Sequence, residues 1–110
     1  MTISDEFMQG MLAAAKPYCL VIFKAAGMRS RDGAKAIIWE HARRNFELRA
    51  EGRLAIVCPV TDDGDIRGVA VFSASVDEVT RIMEDDPAVK SGILECEIRP
   101  CLGFPGDRLS

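Results

Sequence analysis

The chain holds one histidine, His41, and an imidazole is the side chain best suited to moving protons near neutral pH. His41 lies within the longest helical pattern in the sequence, Ala34 to Ala50, which Gly52 ends. Ala34, Ile37, Ile38 and Leu48 stand three, four or seven residues away, so His41 shares the stripe that faces inward. Glu40, Arg43, Arg44, Glu47 and Glu51 are expected on the outer face, with Trp39 at the stripe's edge as packing or interface. An inward imidazole serves as a general base, a hydrogen-bond donor or a buried structural tie. Taken alone, the residues favour the tie.

The second candidate is the acidic run Glu84-Asp85-Asp86, at the end of another helical pattern. Carboxylates there face the negative end of the helix dipole, at a cost of a few tenths to about 1 kcal/mol each when exposed. The plainer explanation is capping: Asp86-Pro87 is a good N-cap and first-residue pair for a new turn through Lys90. Other features point to no chemistry. Asp62-Asp63-Gly64-Asp65 has calcium-loop residue types but lacks the glutamate at the twelfth position, and reads as a hairpin turn. The loop from Gly27 to Gly33 lacks a phosphate-loop lysine pattern, and no serine stands in a nucleophile elbow. The four cysteines form no C-x-x-C pair, and one histidine is too few for an ordinary Cys/His zinc site. Cys19, Cys58 and Cys96 sit in apolar runs as packing residues, so reduced thiols are expected. Nothing calls for a metal or an organic cofactor.

These candidates must be positioned by a small set of elements. A short amphipathic helix from Ser4 to Ala15 leads, with Phe7, Met8, Met11, Leu12 and Ala15 at helical spacing. Strands are expected at Tyr18 to Lys24, Arg53 to Val60, Ile66 to Ala74 and Ile93 to Cys101. The second and third should form a hairpin. Ser75 and Glu78 make a capping box for a helix that ends near Asp86. After the leading helix the order is β-α-β-β-α-β, the ferredoxin-like pattern of an α+β domain with a four-stranded antiparallel sheet. Residues 1–16 then form a helical extension, 17–103 the domain and 104–110 a tail.

The first three strands are apolar at successive positions, whereas a sheet with one wet face alternates. Both faces therefore want cover, and two helices supply only one. The leading helix is one candidate for the second face; a homodimer through the sheet face is the better one. The apolar residues motivating it are Leu20, Ile22, Ile56, Ala70 and Phe72.

Composition excludes several partners. The 110 residues suit one domain, and 48% hydrophobic with 28% charged residues is globular usage. Fourteen basic against 17 acidic residues leave a net charge of −3 and no basic run, so no nucleic acid is expected. No apolar stretch approaches the ~20 residues of a membrane span. Acids near the N-terminus, Asp5 and Glu6, argue against a secretory address, and a cytoplasmic location is expected.

Several short motifs, taken in order, carry a resemblance. They are His41, then Glu51-Gly52-Arg53-Leu54 leading to Cys58-Pro59, and Val71 to Ala74 before a capped helix. The most specific is Asp85 to Gly92, followed by Leu94 to Pro100. From about Tyr18 to Leu102 the chain resembles the YciI, or YCII-related, domain family of small bacterial proteins. The resemblance implies a dimeric α+β barrel, with two ferredoxin-like units packed sheet to sheet. It also implies a cleft holding a catalytic histidine and aspartate, which map onto His41 and Asp86. Two departures stand out: Cys58 replaces a glycine common in the family and adds a side chain near the expected cleft, and the leading helix lies outside the usual domain. The reading that follows is a small enzyme doing proton transfer or elimination on a small-molecule metabolite. His41 would be the general acid/base and Asp86 its orienting carboxylate. The alternatives are a non-catalytic dimeric ligand-binding or interaction module, and a structural protein in which His41 only ties helix to sheet.

Overall fold

The computed structural model describes residues 1–110. Helix α1 spans Asp5–Ala14 and strand β1 Lys16–Ala25; α2 spans Ala34–Ala50, β2 Leu54–Pro59 and β3 Ile66–Phe72. Helix α3 covers Val76–Glu84, the single turn α4 Pro87–Lys90, and β4 Leu94–Gly103. The sheet order is β2-β3-β1-β4 with every neighbouring pair antiparallel, so the fold is α+β and ferredoxin-like. Local signals set the helix boundaries. Ser4 Oγ accepts from Phe7 N at 3.1 Å and opens α1, and Ser75 Oγ accepts from Glu78 N at 3.1 Å and opens α3. Gly33 precedes α2 with φ of 78°, a left-handed geometry that glycine adopts without strain.

Two strands run longer than the sequence pattern indicated. β1 begins at Lys16 rather than Tyr18, and β4 continues past Cys101 to Gly103, because the two pair over their full length. Pro17 is tolerated in β1 because β3 ends opposite Cys19, leaving β4 as the neighbour there.

Helices α2, α3 and α4 cover one face of the sheet. Leu48, Val79, Ile82, Met83 and Ala88 are buried with Cys19, Val21, Phe23, Leu54, Ala70 and Phe72 of the strands. Full burial of Phe72 and Leu54 contributes roughly 1.5–3 kcal/mol each. This corrects one expectation. Ala70 and Phe72 point into the helix-covered core, and the open face is carried by their strand neighbours Val69 and Val71. Register places Val71 between Leu20 and Ile56, and Val69 between Ile22 and Cys58, in one apolar band of half-buried side chains. Lys24, Glu95, Glu97 and Arg99 border that band toward β4, where Lys24 and Glu97 approach at 3.8 Å. Helix α1 buries none of its residues, so it leaves the second face uncovered. Trp39 is 68% exposed, which removes the packing reading within this chain. No helix is long and apolar enough to cross a membrane.

Candidate active site

On α2 the inward stripe runs through Ala34, Ile37, His41, Asn45 and Leu48. It carries the imidazole down onto β1, where the ring meets Phe23 edge-on, with centroids 5.1 Å apart and planes at 79°. Asp86 comes from the junction of α3 and α4. Asp85 ends α3, Pro87 opens α4 with its φ already suited to a helix, and Asp86 between them adopts extended backbone. The β4–β1 pairing and α4 hold that junction against α2.

There the two candidates meet. His41 Nδ1 and Asp86 Oδ2 are 2.7 Å apart, although 45 residues separate them in the chain. The capping role and the contact with His41 do not compete, because they use different oxygens. Asp86 Oδ1 accepts from Ala88 N at 2.9 Å and Val89 N at 3.2 Å, while Oδ2 faces the imidazole. The Asp86 side chain has no exposure, so its charge needs these partners. Burial, the largest influence, pushes its carboxyl upward. The His41 hydrogen bond and charge, with the Ala88 and Val89 N–H groups, outweigh it and hold the carboxyl below 3.8. An ionised Asp86 accepts from Nδ1–H, which leaves Nε2 of the neutral ring with its lone pair.

Two residues of this site escaped the sequence reading. Arg44, expected on the outer face, turns inward. Its Nη1 lies 3.7 Å from Asp86 Oδ2, and its side chain keeps only 24% exposure. Asn45, the other, is 5% exposed and places Nδ2 3.3 Å from His41 Nε2. The available signal was spacing, since residue 45 lies one helical turn beyond His41 on the same stripe.

The ring reaches a cleft of about 720 Å³ between α2, the loop after β1 and the β2–β3 hairpin. Arg29 and Ser30 approach from the loop, Asp63, Asp65 and Arg67 from the hairpin, and Pro59 from the end of β2. Cys58 does not line this cleft. It lies on the open sheet face opposite Val69, because one step along a strand reverses the side a residue faces. No group of three or more His, Cys, Asp or Glu side chains is arranged to hold a metal ion. All four cysteines are free. Burial, joined by the charges of Asp86 and Glu95, pushes the Cys96 thiol up to about 12, and burial likewise raises Cys19. Neither thiol is a nucleophile at neutral pH.

No family model matches the chain, and no curated protein matches it. Among solved structures it is similar to 5-chloro-2-hydroxyhydroquinone dehydrochlorinase from Burkholderia phenoliruptrix, determined in complex with 2,5-dihydroxybenzoquinone. The two are 22% identical, the match covers 74% of this chain and 90% of that one, and the TM-score is 0.49. What the site can do is therefore read from this chain's own side chains.

Proposed function

We propose that this chain is a small acid–base enzyme acting on a small molecule held in the cleft beside α2. His41 is its general acid/base and Asp86 the carboxylate that orients the ring. The observation that carries this reading is the 2.7 Å contact between His41 Nδ1 and a fully buried Asp86, with the same ring opening onto the cleft. Asp86 holds the proton on Nδ1, so the Nε2 lone pair takes a proton from a substrate C–H or O–H. The imidazolium that forms lies against the Asp86 carboxylate, which stabilises it without accepting its proton. Return of that proton to another substrate atom completes an isomerisation; its delivery to a departing group completes an elimination.

The proposal includes a homodimer formed through the open sheet face. The band containing Leu20, Ile22, Ile56, Val69 and Val71 has no cover within the chain, and contiguous apolar patches of this kind usually mark interfaces. A second copy packed there should bury at least ~1,000 Å².

The test is a thermal-shift screen of small metabolites, followed by turnover assays on each compound that stabilises the protein. His41→Gln and Asp86→Asn should each lose most turnover, with the double variant little worse than either one. A ligand that binds in the cleft, is never turned over and binds His41→Gln equally well would favour the non-catalytic binding module instead.

A further inference from the structure

His41 Nε2 is the atom that must exchange a proton, and its one hydrogen-bond partner in the chain is Asn45. With Nδ1 donating to Asp86, the neutral ring accepts at Nε2 from Asn45 Nδ2–H. The other end of the same amide, Oδ1, is buried and bonded to nothing. Nothing beyond the ring therefore locks the amide in either orientation. Its oxygen and nitrogen are nearly equal in size, so a half-turn about χ2 exchanges them without moving the helix. Once Nε2 gains a proton it becomes a donor, and only the turned amide, presenting Oδ1, can accept from it.

We propose that Asn45 is a positioning residue for the transferred proton: its amide donates to neutral His41 and, after a half-turn, accepts from the charged ring. In atoms, a substrate X–H bond breaks and leaves its electron pair on X. The Nε2–H bond forms, and Asn45 Oδ1 accepts that hydrogen. The amide thus holds the ring in one plane before substrate reaches Nε2 and again once the charged ring has parted from it, and it yields Nε2 to the substrate during the transfer itself. This inference rests on His41 being the acid/base. The charged groups around the ring come from every element packed on it. Asp86 and Arg44 lie on the Nδ1 side with the Cys96 thiol beside Asp86. Arg29, Asp63, Asp65 and Arg67 line the cleft, and none of them bonds to Nε2.

Because His41 is the only histidine, its ring signals in an NMR pH titration are unambiguous, and no substrate is needed. In the wild-type protein the Asn45 side-chain amide resonances should shift with the same midpoint as the His41 ring nitrogens. Asn45→Asp, which offers an acceptor only, should favour the protonated ring and move the ring midpoint upward. Asn45 amide signals that stay constant while His41 titrates would overturn the proposal, whether or not the Asp variant folds. The general-base reading fails separately: it requires that Asp86→Asn move the ring nitrogens away from the Nδ1–H tautomer, whatever Asn45 does.

Discussion

Asp86 does two jobs with two oxygens, and two substitutions separate them. Asp86→Asn keeps an oxygen to accept from Ala88 N and Val89 N, since asparagine caps as well as aspartate does. It replaces the charged contact with His41 by a neutral one and presents an amide donor to Nδ1. The ring must then carry its proton on Nε2, which leaves no lone pair toward the cleft. A hydrogen bond to a charged group contributes about 1.5–3 kcal/mol and a neutral one about 0.5–1.5, so the expected loss is roughly 1–1.5 kcal/mol. Asp86→Ala removes the cap as well, at about 1 kcal/mol, and strands a buried imidazole N–H, for a total of roughly 3–5 kcal/mol. In a 110-residue chain about 1 kcal/mol corresponds to roughly 4 °C in Tm. Calorimetry should therefore show a fall of about 5 °C for the Asn variant and roughly 12–20 °C for the Ala variant, on the same conversion. In a His41→Gln background the Asn substitution should cost much less, because the interaction it removes is already gone. Equal melting temperatures for the Asn and Ala variants would refute the division of labour between the two oxygens. A full Asn penalty in the His41→Gln background would refute the coupling.

Acid should expose the same carboxylate. The native state holds Asp86 below 3.8, so as pH falls past that value the unfolded chain takes up the proton first and stability declines. The contribution is complete above about pH 5 and disappears as pH drops through the lowered native value, so Asp86→Asn should flatten this part of a urea-midpoint profile. The open sheet face is tested by Val71→Lys or Ile22→Lys. Either charge placed in the apolar band should convert the proposed homodimer to a monomer in light scattering while far-UV circular dichroism is retained. Cys96, with its thiol pushed up to about 12, should resist iodoacetamide at pH 8 in the native protein and react once the protein is unfolded. Cys58→Ala should leave ligand binding in the cleft unchanged, because the side chain faces the other side of the sheet.

Local chemistry made much of this protein legible as sequence. The helix from Ala34 to Ala50, the Ser75 cap, the Asp86-Pro87 start of a new turn and the β-α-β-β-α-β order all depend on residues within a few positions of one another, and the structure has each of them. The α+β, ferredoxin-like class followed from that order. Tertiary structure decided which side of each strand faces the helices. In Leu54 to Cys58 and Val69 to Phe72 every position is apolar, so no alternation marks the parity, and Ala70 and Phe72 took the core while Val69 and Val71 took the open face. It also decided the neighbours of His41. Arginine's long apolar stem lets Arg44 fold back toward a buried carboxylate that sequence spacing cannot anticipate. Asn45 has a polar label but a core position, because its amide finds a partner in the imidazole one turn away. The distance between His41 and Asp86 depends on β4, α4 and α2 packing together, a cooperative result of the whole sheet and helix layer that no local pattern encodes.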